Sequence, residues 1–97
     1  MQIQEDNICL LTEIGFTKTQ AKVYMVLLRN GKTNAKALSQ NMNIKRQEIY
    51  RTLTELQKVG FVEKTFSNPI EFEAIPLKDA IELILNLKAE EYSKTLE

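Results

Sequence analysis

The chain has 97 residues, of which 43% are hydrophobic and 27% are charged, and its formal net charge is zero. Its single Cys cannot close an internal disulfide, and one thiol without any His cannot build a structural zinc site. The absence of His also excludes His-based acid–base chemistry, and we expect no metal site. No apolar stretch approaches the roughly 18 residues that a membrane-spanning helix needs, so we expect a cytoplasmic protein. Because the side-chain pairs of His-based catalysis are missing, we also expect that it is not an enzyme and uses no cofactor.

The charges are distributed unevenly along the chain. Residues 17–60 contain nine basic and two acidic residues, a net charge of +7, whereas residues 1–16 and 61–97 have net charges of −3 and −4. A basic central segment is typical of a surface that faces phosphate groups, although Lys and Arg also simply solvate helices. Because no repeat or linker is present, we expect a single domain over 1–97, with a core at 11–76 and flanking helices at 1–14 and 77–97.

Four helices are predicted in the first 60 residues. Apolar spacing and terminal signals place them at Ile3–Ile14, Thr17 to Gly31, about 34–41 and 45–58. Thr17 followed by Gln20 forms a capping box of the Thr-x-x-Gln type at the start of the second helix. Two helices joined by a short turn, the second longer and basic, is the helix-turn-helix pattern.

After Gly60 the apolar period changes to two. Val62, Lys64 and Phe66 fall on one side of a predicted strand, residues 67–69 form a turn, and residues 70–74 alternate again. Pro76 then precedes a last helix over 77–96. The predicted fold is mainly α with a small β-hairpin wing, a winged helix-turn-helix with extra N- and C-terminal helices.

The fourth helix separates its chemistry by face. Ile49, Leu53 and Leu56 form the core stripe, and an acid-free polar stripe lies opposite. Because Arg and Gln match guanine and adenine edges in the major groove, the predicted base contacts are Arg46, Gln47 and Arg51. The predicted phosphate contacts here and at the preceding helix start are Thr33, Asn34, Lys36, Lys45, Tyr50, Thr54 and Lys58. Plain solvation is the alternative for each, and Tyr50 also fits a position packed under the hairpin.

An ordered series of segments runs from about Leu11 to Ile81. It comprises Ile14-Gly15-Phe16-Thr17, Ala21-Lys22-Val23-Tyr24, Ala35-Lys36-Ala37-Leu38, Ile44-Lys45-Arg46-Gln47-Glu48-Ile49-Tyr50, Gly60-Phe61-Val62 and Ala74-Ile75-Pro76. This series resembles the winged-helix domain of the TrmB family of mainly archaeal transcription regulators. The resemblance implies a winged helix of archaeal type whose partner is double-stranded DNA.

The chain departs from the family pattern in three ways. Lys45 stands where the family often has Pro. Ile70 and Glu71 occupy wing positions where basic residues are common, which leaves Lys64 and Asn68 as the wing's phosphate contacts. The large C-terminal sugar-sensing domain of some relatives is not within these 97 residues, so we expect a stand-alone DNA-binding domain without a small-molecule effector.

Both end segments carry more apolar positions than one core-facing stripe needs. We predict a two-fold symmetric homodimer with the interface residues Ile8, Leu11, Ile84, Leu85, Leu87, Tyr92 and Leu96. Recognition helices spaced about 34 Å apart would then select a pseudo-palindromic site. The same pattern also fits a larger monomer core. Cys9 is predicted to be a buried apolar residue.

The sequence therefore predicts a dimeric, sequence-specific, double-stranded DNA-binding transcription regulator. The alternative is a winged-helix protein–protein adaptor of the transcription machinery whose basic face meets an acidic partner. DNA affinity that falls steeply with salt would favour the regulator, whereas indifference to DNA at ~0.1 M salt would favour the adaptor.

Overall fold

The elements follow one another in the predicted order. The computed structural model describes the backbone of residues 2–96 and the side chains of residues 8–90. Its elements are α1 (Gln2–Glu13), α2 (Lys18–Asn30), α3 (Ala35–Met42), α4 (Arg46–Lys58), β1 (Val62–Lys64), β2 (Phe72–Ala74) and α5 (Leu77–Leu96). The mainly helical fold with a two-stranded hairpin is thus confirmed, and the helix ends agree with the predictions to about one residue.

Side-chain caps fix where α2 and α3 begin. Oγ1 of Thr17 accepts the N–H of Gln20 at 3.1 Å, and Oε1 of Gln20 accepts the N–H of Thr17 at 3.0 Å. The predicted capping box is therefore present. Oδ1 of Asn34 accepts the N–H of Ala37 at 2.8 Å, which satisfies an N–H at the start of α3 that has no partner within the helix.

The turn between α3 and α4 depends on one left-handed residue. Asn43 has φ 53° and ψ 45°, and its N–H bonds to the carbonyl of Ser39. Asn adopts this conformation more readily than most residues with a side chain. The hydroxyl of Ser39 also donates to the carbonyl of Ile44, so the chain leaves α3 in a fixed direction and α4 packs against α2 and α3.

The hairpin is shorter than predicted. Val62 pairs with Ala74 and Lys64 with Phe72 in an antiparallel register, and residues 65–71 form the connecting loop. The predicted alternation therefore stops before Phe66 and resumes only at Phe72. The physical reason is that Pro69 has no N–H to give a ladder, and loop hydroxyls bond to loop carbonyls instead.

The segment between α2 and α3 adds a third strand position that was not predicted. The N–H of Thr33 donates to the carbonyl of Phe72 at 3.1 Å, and the N–H of Phe72 donates to the carbonyl of Thr33 at 2.8 Å. This bridge ties the hairpin to the helix-turn-helix. One bridging residue is too short to produce a period-two pattern in the sequence.

One cluster of buried side chains holds the helices and the hairpin together. The buried hydroxyl of Tyr24 donates to the carbonyl of Ile75 at 2.6 Å, which anchors the exit of the hairpin on α2. Burial, assisted by the charge of Asp79, raises the pKa of Tyr24 to about 12. The rings of Phe16 and Phe61 stack at a centroid distance of 4.8 Å beside this anchor.

The structure corrects part of the predicted dimer interface. Leu11 is fully buried and Ile84 is 6% exposed, so both belong to the core of a single chain and offer no surface to a second one. Leu85 and Leu87 are exposed, and Ile8 is half-buried against the core. The side chains of the other two predicted residues, Tyr92 and Leu96, lie outside the described residues.

Cys9 is exposed, so the prediction that it is buried is wrong. Leu11 is the residue of this part of α1 that enters the core, and Cys9 lies about 200° from it around the helix. The apolar character of this segment did not reveal which side faces the core.

Candidate nucleic-acid interface

The buried side of α4 is the one predicted from spacing. Ile49, Leu53 and Leu56 are at most 1% exposed and anchor the helix in the core. Thr52, which the predicted stripe did not include, is also buried. With this side fixed, the opposite side of α4 must face outward.

The outward stripe of α4 consists of exposed polar side chains. Gln47, Arg51, Thr54 and Lys58 are all exposed, and none of them is acidic. Arg46 and Tyr50 on one flank are exposed as well. The stripe is therefore a continuous surface of hydrogen-bonding and cationic groups about three turns long.

The two acidic residues of α4 lie away from this stripe. Oε1 of Glu55 accepts a bond from Nε2 of Gln20 on α2 at 3.3 Å, and Glu48 is half-buried. Glu55 also lines a mainly apolar groove beside α5, together with Leu87. Both carboxylates therefore lie on one flank of the outward stripe, and the stripe itself contains none.

A groove of about 530 Å³ lies between α4, the start of α3 and the hairpin, and we call it the wing groove. It brings together six residues predicted as phosphate contacts, which are Asn34, Lys36, Tyr50, Thr54, Lys64 and Asn68. Three separate parts of the chain supply them, and no acidic residue lines the groove. Their convergence on one surface is a feature that the sequence alone did not show.

Some predicted residues lie elsewhere. Arg46, Gln47 and Arg51 are exposed on α4 outside the lining of the wing groove, and Lys45 is exposed at the residue preceding α4. Lys58 lies at the far end of the helix and lines the groove beside α5. The interface is thus an extended surface along α4 with a concave portion next to the hairpin.

The hydrogen bonds revise two of the predicted phosphate contacts. The backbone N–H of Thr33 is bonded to Phe72, so the predicted phosphate contact through that N–H is wrong. The hydroxyl of Thr54 donates to the carbonyl of Tyr50 at 2.8 Å. Because phosphate oxygens need donors, Thr54 contributes to this surface as arranged only an acceptor and its methyl group.

The environment of Tyr50 is intermediate between the two that were predicted for it, an exposed phosphate contact and a position packed under the hairpin. Its side chain is 50% exposed while it lines the wing groove together with Ile70 of the hairpin loop. The ring thus faces the same groove as the hairpin loop and remains half accessible. This arrangement suits a tyrosine that positions a phosphate through its hydroxyl.

Gln57 and Ile70 line the wing groove and were not predicted as site residues. Gln57 is seven residues after Tyr50, so the same helical spacing that grouped Tyr50 and Thr54 would have found it. Ile70 is 46% exposed in the loop, and only the folded hairpin brings it beside α4.

The two sides of the hairpin differ in charge. Lys64 pairs with the buried Phe72 on the side that lines the wing groove, whereas Glu63 pairs with Glu73 on the other side. Two like charges directly opposite each other weaken strand pairing, so this pair does not serve the stability of the hairpin. The hairpin therefore has a cationic side toward α4 and an acidic side away from α4.

The structure resembles solved winged-helix proteins. It superposes on an archaeal chromatin protein, TrmBL2, described as showing a novel mode of DNA binding, with a TM-score of 0.85 and 18% identity over 95% of this chain and 36% of that one. A MarR family transcription regulator, SP03579, matches with a TM-score of 0.66 and 23% identity over 98% of this chain and 64% of that one. The fold is therefore that of the winged-helix transcription regulators.

The sequence then assigns the family. Residues 10–78 match the family described as "Sugar-specific transcriptional regulator TrmB". The chain belongs to the TrmB family, which confirms the resemblance, and the proteins of this family are regulators rather than enzymes.

A curated relative is also matched. YrhO of Bacillus subtilis (strain 168), described as uncharacterized, is 30% identical over 92 residues, which are 93% of this chain and 32% of that protein. The chain thus spans about a third of the length of this relative. Since the relative is bacterial, the archaeal type stays a prediction.

Two further properties of the described residues bear on function. No helix among them combines the length and the apolar character needed to cross a membrane. In the same part of the chain, no three His, Cys, Asp or Glu side chains are grouped so as to hold a metal ion.

Proposed function

We propose that this chain is a sequence-specific double-stranded DNA-binding transcription regulator that acts in the cytoplasm as a dimer and places α4 in the major groove. The observation that carries the proposal is the exposed, acid-free side of α4, with Gln47, Arg51 and Lys58 held outward by the buried side of the same helix. The major groove of B-DNA is about 12 Å wide and admits one helix.

The proposed contacts divide into two kinds. Arg46, Gln47 and Arg51 contact base edges, because they lie in the first half of α4, on its outward stripe and the adjoining flank. Around the wing groove, Lys36, Tyr50, Lys64 and Asn68 contact phosphates and set the register of the helix on the duplex. The absence of an acid from the groove lining supports this second assignment.

The proposed dimer uses the distal half of α5. Ile84 is the last buried residue that the structure describes on this helix, and residues 85–90 are all exposed. Leu85 and Leu87 are 56% and 47% exposed, so the projecting part of α5 carries apolar surface that one chain does not cover. A two-fold contact there would present two copies of α4 to successive major grooves of a pseudo-palindromic site.

Selection of bound duplexes from a random oligonucleotide pool tests the proposal, followed by binding of the selected site over a salt series. We expect a two-fold repeated motif and an affinity that falls steeply between about 50 and 200 mM salt. Arg51→Lys is the matched variant, because it keeps the charge and loses the planar fork that bonds to guanine.

We expect Arg51→Lys to retain binding to unrelated DNA and to lose discrimination at one base position. Unchanged discrimination would mean that Arg51 meets only phosphate. Recovery of no DNA at ~0.1 M salt would contradict the proposal itself and favour an adaptor that binds an acidic protein.

A further inference from the structure

The hairpin loop carries the most exposed large apolar side chain of the described residues. Phe66 is 95% exposed, whereas the next, Leu85, is 56% exposed. A phenylalanine in this position buries almost nothing and so contributes almost nothing to the stability of the fold. Pro69 and Ile70 are also exposed, and residues 66–70 carry no charge, so the tip of the loop offers apolar groups without an ion.

Hydrogen bonds hold this loop in one shape. The N–H of Thr65 donates to the carbonyl of Glu71 at 2.8 Å, and the N–H of Glu71 donates to Oγ1 of Thr65 at 3.1 Å. The hydroxyls of Thr65 and Ser67 lie 2.8 Å apart, and that of Ser67 donates to the carbonyl of Pro69 at 2.9 Å. Phe66 is therefore presented by an ordered support, which reduces the entropy lost when it meets a partner.

The loop lies beside the surface assigned to DNA. Lys64 on one side of Phe66 and residues 68–70 on the other all line the wing groove, opposite Tyr50 of α4. A helix seated in the major groove has a phosphate strand and then a minor groove on each side. A loop that borders the wing groove next to α4 therefore lies beside this phosphate strand and the flanking minor groove when α4 occupies the major groove.

We propose that Phe66 is an apolar wedge that enters this minor groove and partly unstacks one base step, with Lys64 on the adjacent phosphate strand. The inference rests on the proposed DNA-binding function. Apolar side chains inserted at base steps kink the duplex, and pyrimidine–purine steps such as TA and CA yield most easily. Phe66 thereby adds a sequence preference outside the bases that α4 contacts.

An uncharged tip suits this role better than contact with an acidic protein, because Phe66 offers no charge to such a partner. The neighbouring lysines of the wing groove, Lys36 and Lys64, draw the loop toward phosphate instead. The acidic pair Glu63 and Glu73 lies on the other side of the hairpin, away from the groove.

The test compares the full chain with Phe66→Ala, Phe66→Leu and the control Val59→Ala, a 45% exposed apolar residue that follows α4 and lines the other groove. The probe is the selected duplex with 2-aminopurine placed at each step flanking a half-site, because its fluorescence rises when stacking is lost. The bend is measured on the same site by circular-permutation gel shift. Circular dichroism confirms that each variant is folded.

We expect the unsubstituted chain, Phe66→Leu and Val59→Ala to raise the fluorescence at one flanking step and to bend the site. Phe66→Ala should lose both signals and about tenfold in affinity, while base discrimination under α4 is retained. Equal fluorescence and bending for Phe66→Ala and the unsubstituted chain would overturn the wedge, as would a loss of affinity without any fluorescence change.

Two other outcomes separate the wedge from the underlying function. Loss of self-association in Phe66→Ala with unchanged fluorescence and bending would assign Phe66 to a protein contact and overturn the wedge. Failure of the unsubstituted chain to bind any duplex would overturn the proposed function and the wedge together.

Discussion

Helices α4 and α5 bury one side each in the same core, but their exposed surfaces differ in chemistry. The exposed stripe of α4 consists of two cations, an amide and a hydroxyl, whereas the exposed part of α5 combines charges of both signs with the aliphatic side chains of Leu85 and Leu87. Exposure alone therefore does not distinguish the two surfaces. Their side chains do, since cations and amides suit phosphates and base edges while aliphatic groups suit another apolar surface.

The comparison also explains how a neutral chain can bind a polyanion. The positive charge of the nine basic residues in the central segment is not cancelled locally, because the acidic residues lie mostly in the two end segments and on the far side of the hairpin. The local charge of a surface, rather than the net charge of the chain, determines which partner it attracts.

The largest change in DNA affinity is expected from a substitution in the exposed part of α5. Leu85→Asp places a charge in the proposed dimer contact without touching the core. Because two linked half-sites gain about 10²–10⁴ in avidity, the variant should sediment as a monomer and bind the two-half-site duplex at least about 100-fold more weakly. Analytical ultracentrifugation and gel shift measure both quantities.

Asn86→Asp is the matched control, since it adds the same charge at the next exposed residue. It should stay dimeric. If Leu85→Asp remains a dimer with unchanged affinity, the exposed leucines of α5 have another role.

The next largest change in DNA affinity is expected from a substitution in the outward stripe of α4. Arg51→Ala should cost about 1–3 kcal/mol of binding, which is roughly 5- to 150-fold in affinity, and relax specificity at one base position. Arg29→Ala is the control, because Arg29 is an exposed cation of α2 that lines a different groove with Ile8. Competition binding with sites mutated at each position measures both. A uniform loss over all sequences would show that Arg51 contacts phosphate.

A smaller change in DNA affinity is expected from reversing charges on the two sides of the hairpin. Lys64→Glu and Glu63→Lys change the charge by equal amounts in opposite directions, at neighbouring positions on opposite sides of the hairpin. Lys64→Glu should weaken binding and lower the salt slope by about one ion, whereas Glu63→Lys should leave the slope nearly unchanged. Equal and opposite changes would mean that only the total charge of the hairpin matters.

The smallest binding effect is expected in the core that both helices share. Tyr24→Phe removes the bond to the carbonyl of Ile75 and should lower the free energy of unfolding by about 1–3 kcal/mol with DNA affinity unchanged. Urea unfolding at neutral pH measures the loss. An altered DNA affinity at full folding would show that the anchor also sets the position of the hairpin.

The same residue predicts a pH dependence. The pKa of Tyr24 is about 12 in the folded chain, above its ordinary value of 10, so the unfolded chain loses this proton first. The contribution of Tyr24 is therefore complete below about pH 10 and is lost as the pH rises toward about 12. The difference in unfolding free energy between the unsubstituted chain and Tyr24→Phe should shrink over that interval.

The helical part of the fold could be predicted from the sequence because its signals are local. The capping box at Thr17 and Gln20 and the spacing of Ile49, Leu53 and Leu56 each lie within one helix. The hairpin was harder, because three-residue strands contain too few residues to establish a period. The bridge at Thr33 depends on a partner 39 positions away and has no local signal.

The candidate site divides in the same way. The outward stripe of α4 follows from helix geometry once the core side is known. The wing groove, by contrast, forms only when the start of α3, α4 and the hairpin meet, so Ile70 and the exposed Phe66 could not be identified from spacing. Leu11 and Cys9 were misplaced because an apolar helix with few charges does not reveal which of its sides is buried.

Dimethyl sulfate protection of the selected duplex tests whether the outward stripe of α4 lies in the major groove. The reagent methylates guanine N7 in the major groove and adenine N3 in the minor groove. The unsubstituted chain should protect guanine N7 within each half-site, and Arg51→Ala should lose protection at one guanine per half-site while the others stay protected. Protection confined to adenine N3 would show that α4 does not occupy the major groove, and a guanine pattern identical in Arg51→Ala would show that Arg51 contacts no guanine there.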